Sequence, residues 1–283
     1  MRLVAGSDAR VVSPLFTDLD EAPCATTGVP TVAVTSVLNG TLSAPTATAW
    51  TGRTGRYRAT LTAATHLTTV DQLTVTWTGT ADSAARTLTQ QVDVAGGVYV
   101  PTDVLAAQRT VPETDLGMES LRAWRTSFEL IAERARGVAY VPRLAIEDHP
   151  ASHRCSVPLE WARPRELLAV WVDGEAVDVD LYELDKGSKT VEGDFSYPVR
   201  LAYSHGYTQP PEALVAACQD YVRAKALSTT SDQARTVLSF TNLASGEVYR
   251  YGTADWDAGR WTGMESVDSL ISSVDDERRW GVK

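Results

Sequence analysis

From residue 28 to residue 95, apolar and polar positions alternate with a period of two. The runs are TVAVTSVL (31–38), TATAW (46–50), RYRATLTA (56–63), QLTVTWTGT (72–80) and TLTQQVDV (87–94), punctuated by Gly, Pro, Asn and Asp. Successive side chains of a strand point to opposite faces, so this period, carried by β-branched residues, predicts half-buried strands. Five or more strands in under 100 residues, with no helical period among them, predict a small antiparallel β-sandwich. The Cys…Trp…Cys pattern of antibody domains is absent, so "immunoglobulin-like" describes the layers only.

The period changes after AGGVYVPT (95–102), whose glycines and proline mark a linker. Leu116, Leu121, Trp124, Phe128, Ile131 and Ala135 then recur at three and four, the spacing of one apolar helix face. Asp115 suits the start of that helix and Gly137 its end, while Gly117 weakens its first turn. A polar loop is expected from Glu147 to Ser156. LLAVWVDGEAVDVDLYEL (167–184) places Asp173-Gly174 between two alternating runs, a strong hairpin signal. PVRLAY (198–203) predicts a further strand with Val199, Leu201 and Tyr203 on one face. Pro211 suits the first position of the helix that follows, in which Leu214, Cys218, Tyr221, Val222 and Lys225 share a face. Beyond Thr229 the pattern is irregular and aromatic, apart from the short amphipathic piece ESVDSLISSV (265–274).

The expected fold is thus a multi-domain α+β chain. An Ig-like β-sandwich (1–97) precedes a mainly helical core with a β-hairpin (98–230) and an extended C-terminal arm (231–283). A hydrophobic fraction of 43% supports a packed core. The longest apolar stretch, LLAVWV, is far too short to cross a bilayer, and the first residues lack the apolar run of a secretory signal. Three distant cysteines make no disulfide framework. These features lead us to expect a soluble protein made in a cytoplasm. The net charge of −10 divides as −1 (6 basic, 7 acidic) in 1–97, −6 (14 and 20) in 98–230 and −3 (6 and 9) in 231–283. No segment carries the basic stripe that gripping a phosphate backbone requires.

The candidate chemistry is thin. Ser204 and His205 are adjacent, but neighbours on a strand face opposite ways and do not pair as nucleophile and base. Asp148, His149, His153 and Cys155 are metal-ligand types, yet Pro150 interrupts any helix that would align them, so no metal is expected. Asp178, Asp180, Glu183 and Asp185 are expected on a hairpin strand, three of them on a solvated face. No dinucleotide, P-loop or metalloprotease motif is present. We therefore expect no enzymatic activity and no cofactor. The alternative is a carbohydrate-binding module or a carbohydrate-active enzyme built on the β-sandwich, with Trp50 and Trp77 as a sugar platform. The aromatic C-terminal stretch reads either as packing on the chain's own core or as an arm anchoring a partner.

Residues 98–283 carry an ordered series of motifs: LRAWRTSFELIAERARG followed by GVAYVPR, the hairpin, then YSHGYTQPPEALVAACQDYVRAKAL, then SFTNLASGEVYRYGTADWDAGRWTGMESVDSLI. This order resembles the head-to-tail adaptors, or head–tail connector proteins, of long-tailed bacteriophages, over about two thirds of the chain. The corresponding residues are Tyr203-Ser204-His205-Gly206, Pro210-Pro211, Ser239-Phe240-Thr241-Asn242, Arg250-Tyr251 and Thr262-Gly263. The resemblance implies a ring, usually of twelve copies, in the virion neck between the portal and a stopper or tail-completion protein. DNA would pass through its lumen without specific binding. It further implies that the C-terminal segment docks on the portal, with Phe240, Asn242, Tyr249, Arg250, Tyr251, Trp256 and Trp261 at portal or subunit contacts. Tyr203, His205, Gly206 and Pro211 would form a strand-to-helix joint. The first 97 residues lie outside the pattern and look like an immunoglobulin-like decoration.

Overall fold

The computed structural model describes residues 1–107, 115–152, 154–230, 239–242, 247–250, 261–262 and 264–274. The chain opens with eight strands: β1 (Arg2–Val4), β2 (Ala9–Val12), β3 (Thr31–Ser36), β4 (Gly40–Leu42), β5 (Ala47–Ala49), β6 (Tyr57–Leu61), β7 (Asp71–Ala81) and β8 (Ala84–Ala95). They form two sheets, ordered β1-β8-β7-β3-β4 and β2-β6-β5. Val32 and Val34 of β3, with Leu73, Val75 and Trp77 of β7, point inward, and the intervening threonines point out. Val11, Tyr57, Ala59 and Leu61 meet them from the smaller sheet, in one shared apolar core. The β7–β8 hairpin closes on Asp82 and Ser83, both at positive φ, a two-residue turn whose twist matches its strands. One pairing departs from the antiparallel pattern: β1 runs parallel to β8, so the first strand flanks the last.

Next come α1 (Thr102–Ala107) and α2 (Asp115–Arg136). Gly137, at φ 69°, ends α2 and donates its N–H to the Glu133 carbonyl, an αL cap. Of the predicted apolar face, Leu121, Phe128 and Ala135 are buried, and Trp124 and Ile131 are half-buried against the same cluster. Further strands follow: β9 (Arg143–His149), β10 (Ser156–Pro158), β11 (Pro164–Val172), β12 (Glu175–Val177), β13 (Glu183–Asp185), β14 (Thr190–Glu192) and β15 (Val199–His205). They make a four-stranded sheet ordered β12-β11-β15-β9 and a three-stranded sheet ordered β10-β14-β13. Val157, Val170, Val191, Phe195, Leu201 and Tyr203 fill the space between them. The chain then forms α3 (Glu212–Thr230), a hairpin of β16 (Ser239–Asn242) and β17 (Glu247–Arg250), and α4 (Glu265–Ser273).

This architecture corrects the expectation of a mainly helical core. Of the described residues 38% are in strands and 23% in helices, and the middle third of the chain is two packed sheets. Segment 147–156 is not a loop throughout, because β9 runs to His149 and β10 starts at Ser156. Asp173 and Gly174, both at positive φ, do turn a hairpin, but its second arm stops at Val177. There Asp178 accepts the Asp180 N–H and caps a 3-10 turn, Val179–Leu181, before β13 begins. The acidic residues of this stretch are therefore divided between a cap, a turn and a short strand. Asp185 likewise accepts from the Gly187 and Ser188 N–H groups in the turn before β14.

Only the last described part of the arm, around α4, is neither extended nor free of the core. Met264, Val267 and Ile271 are buried in the cluster that α2 and α3 share, and Trp261 and Leu270 pack on its edge. An amphipathic helix of nine residues is marginal alone and needs such a surface. Among the described residues, no helix is long and apolar enough to span a membrane.

Candidate functional site

The joint between β15 and α3 holds four of the residues singled out by sequence. β15 lies in the middle of its sheet, paired with β11 on one side and β9 on the other, so its last residues are buried despite being polar. Ser204 reaches the Glu166 carbonyl at 3.5 Å. His205, on the opposite face, lies with its ring centroid 4.9 Å from that of the half-exposed Trp161. The pair is not a nucleophile and its base. Burial pushes the His205 imidazole down to about 4, against the smaller upward pull of the Glu147 carboxylate. The ring is thus neutral at physiological pH.

Gly206 follows at φ 102°. Its N–H bonds the Arg163 carbonyl at 2.9 Å, and the Tyr207 N–H bonds the Ala139 carbonyl at 2.9 Å. Tyr207 stacks on Tyr140, with centroids 5.5 Å apart and 15° between the planes. The segment GVAYVPR and the turn after β15 are therefore in direct contact. Pro211 offers its carbonyl to the Leu214 and Val215 N–H groups, which makes it the residue that opens α3. Lys225, the polar residue on the α3 face, holds its ammonium 5.4 Å from the Tyr221 ring centre.

A second network ties the joint to β9. The Tyr203 hydroxyl donates to Glu147 Oε1, and the Glu160 N–H donates to the same carboxylate at 3.0 Å. His149 Nε2 stands 3.4 Å from its other oxygen. Burial pushes Glu147 up, but the bonds from His149, Tyr203 and the Glu160 N–H outweigh it and hold the carboxyl below its ordinary value. Burial and the Glu147 contact raise the Tyr203 phenol. With its proton donors arranged around one carboxylate, this network stabilises an anion and positions a loop. Asp148 does not join it, because it faces solvent and pairs with Arg200 at 2.7 Å. Cys155 is exposed, His153 lies outside the described residues, and no metal-ligand cluster occurs among those described.

Sequence reasoning missed a buried cluster of arginines and carboxylates. The Arg2 side chain has no solvent exposure and sits among three carboxylates. Nη1 donates to Glu129 at 2.5 Å, Nη2 to Glu133 at 3.0 Å and Nε to Asp93 at 3.2 Å. Arg143 bridges Asp93 at 2.6 Å and Glu133 at 2.5 Å. Arg125 approaches Glu129 at 3.6 Å and donates to Thr102 Oγ1 at 2.9 Å. Three arginines thus balance three carboxylates. Burial lowers the Arg2 guanidinium, but Glu133, Glu129 and Asp93 more than offset this and raise it above its usual value. For Glu133 burial is the largest influence and pushes the carboxyl up; Arg2 pulls it back, and Glu129 and Asp93 push it further up. A cleft of about 590 Å³ adjoins the cluster, lined by Leu130, Arg143, Leu144, Ile146, Trp161 and His205 among others. The sequence carries no signal for the cluster: Glu129 follows Phe128 by one residue, which turns it away from the predicted apolar face and makes it read as an ordinary polar helix position.

The arm residues are partly described. Phe240 pairs with Tyr249, Ser239 with Arg250 and Asn242 with Glu247 in the β16–β17 hairpin. Tyr251 and Trp256 lie outside the described residues. The Thr262 hydroxyl donates to Asp268 at 2.8 Å and accepts the Met264 N–H at 3.1 Å, so Thr262 and Asp268 together brace the start of α4. Trp50 and Trp77 form no platform: Trp77 is fully buried, and the Arg58 guanidinium covers Trp50 at 4.1 Å.

The neutral, buried His205 gives a pH prediction. Its folded-state pKa lies below its unfolded one, so its contribution is fully present above about 6.5 and is lost as pH falls toward 4. Between pH 7.5 and 4.5 the wild type should lose roughly 2–3 kcal/mol more stability than His205→Gln. Urea titrations of both proteins at the two pH values measure this. Parallel losses would show that the imidazole is not kept neutral by the fold.

Comparison with protein-family models and with curated proteins found no match for this chain.

Proposed function

We propose that the chain is a structural virion protein, a head-to-tail adaptor. It forms a ring, twelvefold by resemblance, between the portal and a stopper or tail-completion protein in the phage neck, and DNA passes through the lumen. The observation that carries this reading is the ordered motif series of residues 121–271, together with the structural work those motifs do. GVAYVPR and YSHGY are separate in sequence and meet through the Tyr207–Ala139 bond and the Tyr140–Tyr207 stack. TGMESVD starts α4 through Thr262 and Asp268, and that helix returns to the α2–α3 cluster. The net charge of −10 favours a lumen that repels phosphate and lets DNA slide.

The portal contact should be tested by substitution, not by truncation. Deleting 239–283 would strip Met264, Val267 and Ile271 from the core and confound docking with unfolding. Tyr251→Ala with Trp256→Ala should weaken binding to the purified portal of the same phage by roughly 30-fold or more, the loss of one strong interface anchor. The melting temperature should stay within a few degrees of the wild type. Unchanged portal affinity would reject the arm as the docking element. Absence of any portal binding or ring formation by the wild-type protein would reject the adaptor reading itself.

A further inference from the structure

We propose that the N-terminal β-sandwich is locked to the rest of the protein as one rigid body, pinned by Arg2, and is not a tethered decoration. An appendage on a linker has a solvated, polar junction, and its linker is open to water. Here the centre of the junction is buried: the Arg2 and Glu129 side chains have no solvent exposure. Arg2 on β1 and Asp93 on β8 belong to the sandwich, while Glu129 and Glu133 belong to α2 and Arg143 opens β9. The guanidinium uses all three of its nitrogens to reach three carboxylates, Nη1 serving both Glu129 and Glu133, in contacts spanning 91 to 131 residues.

The linker is tied to the same junction at Gly96, which is exposed, and at Tyr99, which is buried. The Gly96 N–H bonds the Pro142 carbonyl at 2.8 Å, and a Cβ on Gly96 would lie 2.8 Å from the Pro142 ring. The Tyr99 N–H donates to Glu129 Oε1 at 2.8 Å. The Tyr99 side chain, 3% exposed, packs edge-on against Phe128 and Tyr140. Glu129 therefore holds the linker with one oxygen and the sandwich with the other. A buried pair is screened little by salt, so the lock differs from a surface salt bridge. The consequence is mechanical: any partner that grips the sandwich orients the α2–α3 core with it.

Tyr99 reports the state of the lock, because chymotrypsin cuts after an exposed tyrosine and this one is buried. In the full-length protein, Arg2→Met takes from Glu129 and Glu133 the guanidinium they share, leaving Arg125 and Arg143 to face three carboxylates, and cleavage after Tyr99 should accelerate about 100-fold or more. The strand and helix contributions to the far-ultraviolet circular dichroism should remain, showing that the sandwich and the helices stay folded. Arg2→Lys covers the case in which Arg2→Met fails to fold. It keeps the charge but cannot reach three carboxylates at once, and should give an acceleration of about tenfold. Sodium chloride at about 1 M should not reproduce either effect. Wild-type protection at Tyr99 in Arg2→Lys and in any folded Arg2→Met would overturn the proposal. So would rapid cleavage of the wild-type protein, or its release by salt.

Discussion

Phe128→Ala should cost about 3–5 kcal/mol, the cost of truncating a fully buried aromatic whose surroundings cannot collapse. Phe128 has no exposure and sits where three segments meet. Its ring lies 6.1 Å from Tyr99 of the linker, edge-on, and 5.6 Å from Tyr221 of α3. Tyr99 is held by Glu129 and Tyr140, and Tyr221 by a helix, so neither ring is free to move into the vacated space. A whole domain is stable by only about 5–15 kcal/mol, so the variant should melt far below the wild type. Phe128→Leu fills most of the volume and should lose roughly 1–2 kcal/mol. Denaturant titration of both variants gives the comparison. A loss below about 1 kcal/mol for alanine would mean that the α2–α3 contact does not carry the core.

Gly206→Ala should destabilise the protein by about 3 kcal/mol or more, although it adds a single methyl group. Two costs combine. At φ 102° any L side chain is strained. In addition, the new Cβ would lie 2.7 Å from the Ala139 carbonyl oxygen and 2.8 Å from that of Val141, both backbone atoms. Relief requires the Ala139–Val141 segment to move away, which breaks the Tyr207–Ala139 hydrogen bond and the Tyr140–Tyr207 stack. Ala139→Gly in the same background removes only the side-chain contact at 2.9 Å and should not rescue it. Full rescue by Ala139→Gly would contradict this account, since it would make the clash one of side chains alone.

Strands β3, β6 and β7 were legible because each has one buried and one wetter face, and that asymmetry writes a period of two into the sequence. Asp173-Gly174 was legible because positive φ at two successive residues selects for such pairs. Helix α2 was legible from its apolar spacing. The strands β10, β13 and β14 were not, because three residues are too few to establish a period. β9 was hidden by its polar end: Glu147, Asp148 and His149 look like a loop until β15 pairs with them. That omission, more than any error about helices, produced the expectation of a mainly helical core.

At the joint, the sequence alone argued against a Ser204–His205 pair, and strand geometry upholds that argument. It also marked Gly206 and Pro211 as turn and helix start. It gave no hint that Gly206 presses on the backbone of Ala139 and Val141. Local information sufficed wherever a residue's role is set by its own dihedrals or by neighbours within a turn of helix or a step of strand. The burial of Arg2 among Asp93, Glu129 and Glu133 was decided only by tertiary structure. An isolated arginine in a sequence is indistinguishable from a solvated one, and only the docking of two distant sheets and a helix removes the water that would otherwise separate those charges.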